Sequence, residues 1–73
     1  MNQANNTQSQ KRRLLEYLIE HKRITTLTAR LQLDVMHPAA RVQELKADGN
    51  NIVTFKRHVD NHHKVAEYVL LSQ

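Results

Sequence analysis

Apolar residues fall in a helical rhythm near the start of the chain. Leu14, Leu15, Leu18 and Ile19 recur on one stripe, while Lys11, Arg12, Glu16, Glu20 and Lys22 lie largely outside it. This pattern predicts a first helix from Gln10 to about His21. Ahead of it, residues 1–9 are mostly Asn, Gln, Ser and Thr, carry no charged side chain and offer almost nothing to bury, so they read as a disordered polar tail. Arg23-Ile24-Thr25 is short and β-branched, which suits a single strand between helices. Thr26 is predicted to cap a second, two-turn helix by accepting an orphan backbone N–H, with Leu27, Ala29, Leu31 and Leu33 as its apolar side. Asp34 follows where a tight turn suits left-handed backbone, which Asp tolerates better than most residues with a Cβ. Pro38 then opens a third helix, because its missing N–H costs nothing in a first turn. That helix is predicted to run to Asp48 and stop at Gly49, with Val42 and Leu45 facing the core and Pro38 above them.

After Gly49 the period changes from helical to extended. Ile52-Val53-Thr54-Phe55 and the run from Val65 to Leu71 are rich in β-branched and aromatic residues. Asp60-Asn61-His62-His63 between them is polar and able to turn, so the two strands are expected to form a hairpin. The order is helix, short strand, helix, turn, helix, strand, strand, with no internal repeat. Two short helices joined by a tight turn and followed by a hairpin describe an α+β fold, a winged helix-turn-helix, occupying residues 10–73 as one domain.

Composition narrows the function. A chain of 73 residues makes one domain with a thin core and little room for a substrate pocket. It has no cysteine, which excludes a disulfide framework and thiolate zinc sites and suits the cytoplasm. No apolar run approaches the roughly 18 residues that span a bilayer, and the N-terminus lacks the apolar stretch of a signal peptide, so no membrane association is expected. The net charge of +4 favours a polyanionic partner. Its distribution matters more than its sum. Residues 11–23 carry five basic and two acidic side chains (+3), residues 25–48 carry three of each, and residues 52–71 carry three basic and two acidic (+1). The basic run Lys11-Arg12-Arg13 reads either as a solvated helix start or as an arm that meets phosphates. A DNA reader with so neutral a middle is expected to bind with modest affinity.

On the third helix, placing Val42 at the centre of the buried side leaves Ala40, Gln43, Glu44 and Ala47 outward, His37 and Arg41 on one flank, and Ala39 and Lys46 on the other. Small side chains at Ala39 and Ala40 let a helix approach base edges closely. Gln43 can donate and accept at an adenine edge, and Arg41 can reach a guanine or a phosphate, or pair instead with Asp48, Glu44 or a carboxylate of the first helix. Thr26 and Thr28 on the second helix, and Lys56, Arg57, His62, His63 and Lys64 around the hairpin tip, complete the expected DNA-binding set.

Four strings carry a resemblance to a known group of domains. These are Ile24-Thr25-Thr26-Leu27, then Pro38-Ala39-Ala40-Arg41-Val42-Gln43-Glu44-Leu45, then Asn51-Ile52-Val53-Thr54, and Tyr68-Val69-Leu70. Over about Lys11 to Leu71 the chain resembles the small winged helix-turn-helix domains common in prophages and bacterial genomes. The resemblance implies a DNA-binding role, usually in transcription regulation. Four positions depart from the pattern. Asp34 stands where Gly is usual in the inter-helix turn, Asn61-His62-His63 replaces a Gly-containing wing tip, and Arg30 and Pro38 stand where apolar residues, larger in the second case, are expected.

Double-stranded DNA is therefore the expected partner, with the third helix in the major groove and the wing on the backbone. Dimerisation or tandem sites are expected too, because a module this small binds weakly alone; the apolar edge near Val69 and Leu71 and the face around Tyr17 are the candidate contacts. Two other roles fit the same pattern: an excisionase-like architectural factor in recombination, and a winged-helix protein-interaction module that has lost DNA binding. Enzymatic chemistry is not expected. Gly49 is the sole glycine, so no glycine loop cradles a phosphate, Ser9 and Ser72 lie near the ends, and Glu16, Glu20, Glu44, Asp48 and Glu67 read as surface charge. No cofactor or small-molecule ligand is evident. His58, Asp60, His62 and His63 are dense enough to raise the question of zinc, but adjacent side chains in a strand point to opposite faces and no fourth rigid ligand is evident. No metal site is expected. Histidines at a wing tip instead add positive charge in mild acid, so affinity for DNA should rise as pH falls through about 6.5. Binding that stays flat from neutral to mildly acidic pH excludes this role.

Overall fold

The structure is a computed structural model that describes residues 6–58 and 64–72, the side chains of residues 57, 58, 64 and 72 aside. Its elements run α1 (Thr7–His21), β1 (Arg23–Thr25), α2 (Thr26–Leu33), α3 (Pro38–Ala47), β2 (Asn51–His58) and β3 (Lys64–Ser72). The expected order of elements is observed. The turn expected at Asp60 to His63 lies outside the described residues.

The strands form one antiparallel sheet in the order β1-β3-β2. Ile24 and Thr54 both register with Tyr68, and Ile52 registers with Leu70, which sets these residues on one face of the sheet. The three helices close over that face. Leu14 and Leu18 of α1, Ala29 of α2, Val35 of the turn, and Val42 and Leu45 of α3 meet Ile24, Ile52, Tyr68 and Leu70 in a single core. Pro38 is fully buried as well, so a small ring fills the place where a larger apolar residue was expected.

Helix ends explain the boundaries. Asn6 caps α1, its side chain accepting the Ser9 N–H at 2.8 Å, so Thr7 to Ser9 are helical and not part of a tail. At the other end Lys22 takes left-handed backbone (φ 74°) and its N–H returns to the Leu18 carbonyl at 2.8 Å. The cap of α2 is Thr25, not Thr26. Thr25 is the residue still in extended backbone, and its hydroxyl accepts the Thr28 N–H at 3.1 Å. Helix α3 ends in a Schellman arrangement: Gly49 (φ 106°) donates to the Lys46 carbonyl and Asn50 to that of Leu45. The Asn50 side-chain amide donates to the same Leu45 oxygen at 2.9 Å.

Four expectations about burial change. Of the apolar residues assigned to α2, only Ala29 and Leu33 pack on the core, whereas Leu27 and Leu31 are 54% and 77% exposed. Residues 27, 29, 31 and 33 alternate, and a helix of 3.6 residues per turn cannot bring an alternating set to one side. Ile19 is likewise half-exposed, one position off the Leu14–Leu18 row. Val69 is not at an edge, since β3 is the central strand and Val69 sits between Arg23 and Val53. Glu67 is not surface charge either. It is buried on the outer side of the sheet, between Thr25 and Phe55, with a carboxylate oxygen 3.8 Å from an Arg23 nitrogen.

The turn between α2 and α3 holds one of two residues with a Cβ and positive φ among the described residues. Asp34 adopts φ 56° and ψ 41°, left-handed as the sequence predicts. Its N–H and that of Val35 both return to the Ala29 carbonyl. Three carbonyls of the turn and its flanks are met by arginines. Arg13 of α1 donates through Nε to the Leu33 carbonyl at 2.8 Å and through Nη2 to that of Asp34 at 3.3 Å. Arg30, exposed and not a core residue, donates to the Met36 carbonyl at 3.1 Å. Positive charge at the end of α2 also opposes its dipole favourably.

Arg13 therefore contributes to stability through the turn. Replacing it with Ala should lower unfolding free energy by about 1–3 kcal/mol, the range for losing charged hydrogen bonds to partly buried carbonyls. Lys11→Ala, which breaks a partly exposed ion pair, should cost at most about 1 kcal/mol. Urea denaturation of both variants checks the order; equal losses would remove the special role of Arg13.

Candidate nucleic-acid interface

Helix α3 carries the candidate surface. Pro38, Val42 and Leu45 are its buried row, which leaves Ala40, Gln43 and Ala47 on the opposite side, all exposed. Ala39 and Lys46 are exposed along one flank, and His37 is exposed at the N-cap position, where its side chain makes no capping bond. The middle of this face is therefore two methyl groups and one carboxamide. Nothing on it is bulky enough to hold the helix away from a groove.

The other flank differs from expectation. Arg41 is not extended toward solvent: its side chain is 14% exposed and grips Glu44 with two parallel bonds, Nε to Oε1 at 2.8 Å and Nη2 to Oε2 at 2.9 Å. The carboxylate is the more exposed partner, at 39%. The i,i+3 spacing of Arg41 and Glu44 made this pair legible in the sequence. What the spacing did not reveal is which partner faces outward.

The threonines of α2 are partly engaged inside the domain. The Thr26 hydroxyl donates to the Ala66 carbonyl at 3.3 Å, tying α2 to β3, so its proton is not available to a phosphate. The Thr28 hydroxyl accepts from that of Thr25 at 3.0 Å and keeps its own proton for an outside acceptor. Both residues are half-buried.

On the wing, Lys56 is exposed on β2. The backbones of Arg57 and Lys64 belong to the hairpin ladder, with Arg57 opposite Val65 and Lys64 opposite His58. His62 and His63 lie outside the described residues, as do the side chains of Arg57, His58 and Lys64. Among the described residues no group of three or more His, Cys, Asp or Glu is placed to hold a metal ion.

The basic run of α1 is neither a solvated terminus throughout nor a free arm. Lys11 pairs with Asp48 at the end of α3 at 2.8 Å, and Arg13 closes α2. Arg12 is exposed and borders a shallow groove between α1 and α3, lined also by Gln8, Leu15 and Leu45. No helix among the described residues is long and apolar enough to cross a membrane.

Comparison with curated proteins and with solved structures returns no match. A family model described as a winged helix-turn-helix domain matches residues 9–73, which takes in every element from the first turn of α1 to the end of β3. Together with three helices and a small antiparallel sheet in the arrangement above, that match shows that the chain belongs to the winged helix-turn-helix domain family.

Proposed function

We propose that this chain binds double-stranded DNA with sequence preference, as a cytoplasmic transcription regulator of the bacterial or prophage type. One observation carries the reading: the exposed row Ala40, Gln43 and Ala47 on α3, narrow and uncharged along its middle. A helix with such a face fits between sugar–phosphate ridges, where alanine methyls meet thymine methyls and Gln43 meets an adenine edge. Lys46 on the flank and Lys56 on the wing supply phosphate contacts, joined by Thr28 at the start of α2, while His37 and Ala39 border the entry of α3. Arg57 and Lys64, with His62 and His63 of the tip, are the further wing residues proposed to meet the adjacent backbone.

Affinity of one such module is limited by its size, since single domains of this kind cover about 600–1,000 Å² of DNA-facing surface. Occupation of paired half-sites by two copies fits that limit. Architectural and protein-docking roles receive no separate support from a particular feature of the site.

Gln43→Ala should change which sequences are preferred, weakening sites with adenine at one position by about 1–3 kcal/mol. Lys56→Ala should weaken every sequence alike and reduce the slope of log affinity against log salt by about 0.9. Fluorescence anisotropy on a selected duplex and on scrambled duplexes, at several salt concentrations, checks both. Uniform weakening of all sequences by both substitutions would defeat the base-reading role of Gln43.

A further inference from the structure

We propose that Glu44 forms a cytosine-reading subsite on α3 and that Arg41 is its positioning residue. The inference rests on the DNA-binding reading above and adds a base-specific contact to it. Its starting point is the fork in which Nε and Nη2 of Arg41 engage the two carboxylate oxygens of Glu44 separately, at 2.8 and 2.9 Å. Two parallel bonds fix the plane of the carboxylate, which a single bond would leave free to rotate. Each oxygen keeps further lone-pair capacity on the side away from the guanidinium.

Exposure gives the pair a direction. Arg41 lies behind at 14% and Glu44 in front at 39%. Glu44 is four residues from Ala40 and three from Ala47, so it borders the exposed row on the side opposite Gln43. The two alanines keep that row low, which lets a side chain of middling length reach the floor of a groove.

A bare carboxylate would be repelled by the phosphates flanking the major groove. The guanidinium cancels that charge at contact distance, so the pair approaches DNA as a neutral dipole with its acceptor end forward. An acceptor-only group discriminates among the four bases. Guanine offers N7 and O6 and thymine offers O4, all of which repel it. Adenine offers an amino group, but beside the N7 acceptor. Cytosine alone presents an amino group with no acceptor on the same base in the groove, its C5–H side being open and the O6 on the other side belonging to the paired guanine. Glu44 and Gln43 then read different bases from the two sides of one helix face.

The test uses the full chain and a duplex selected from a randomised library. Affinities are compared for that duplex and for its single-base variants at fixed salt. The wild-type chain should prefer cytosine at one position by about tenfold. In Glu44→Gln the preference at that position should move toward adenine, and in Glu44→Ala it should vanish; far-UV circular dichroism and thermal melting confirm that each variant is folded. Arg41→Lys keeps the positive charge and loses the fork, so it should lose the cytosine preference as Glu44→Ala does. A phosphate-binding Arg41 would instead leave the preference intact in the lysine variant. Wild-type binding with an unchanged base profile in both Glu44 variants overturns the cytosine assignment alone, and an unchanged profile in Arg41→Lys overturns the positioning role. Absence of wild-type binding to any duplex at low salt overturns the DNA-binding reading, and this inference with it.

Discussion

Helix α2 spans eight residues, too few for a stable helix in water without support from outside. Beside the packing of Ala29 and Leu33 and the Thr26 bond to β3, that support comes from the guanidinium of Arg13, which meets the carbonyls of Leu33 and Asp34 at the point where the backbone turns left-handed. The arginine stands on α1, anchored by Leu14 beside it, a residue with no exposed surface. Val35, also fully buried, pins the turn from the inside. The direction in which α3 leaves the turn depends on these two restraints, one polar and one apolar. They act together with the core packing of Pro38, Val42 and Leu45, which holds α3 against α1 and the sheet.

This arrangement changes how the positive charge of the chain is understood. The densest basic run in the sequence is occupied with internal work: Lys11 with Asp48, Arg13 with the end of α2. On α3, Arg41 is matched by Glu44. The net charge of +4 already counts both members of these pairs, so pairing leaves the long-range attraction to a polyanion as it is and reduces only the number of basic side chains ready for close phosphate contact. The outward surface of α3 is thus two alanines and a carboxamide, with the Glu44 carboxylate held by Arg41 beside them.

The sheet shows the same economy. With β3 in the centre, one strand ties β1 and β2 together, and the Thr26 hydroxyl fastens α2 to it through Ala66. The wing is therefore continuous with the core and not an appendage. Ile52 and Leu70 of the wing strands share one core with Val42 and Leu45 of α3, and β2 contacts α3 directly.

The sequence by itself determined the elements and most of their ends. Helical spacing at Leu14 and Leu18, proline at position 38, glycine at 49 and the extended run after it each act over a few residues, and local patterns record local physics. The left-handed turn at Asp34 was legible for the same reason, although no glycine marks it. Tertiary structure decided what depends on distant partners. Thr25 and not Thr26 caps α2, because strand pairing with Glu67 keeps Thr25 extended. Leu27 and Leu31 face outward because only one side of a two-turn helix meets the core. Arg13 acts across twenty residues of chain, a reach that no periodicity records. Glu67 looked like surface charge until β1 and β2 closed in on either side of it. On α3 the sequence named both members of the Arg41–Glu44 pair, but the packing of the arginine against the domain, which leaves the carboxylate in front, follows from three-dimensional closure alone.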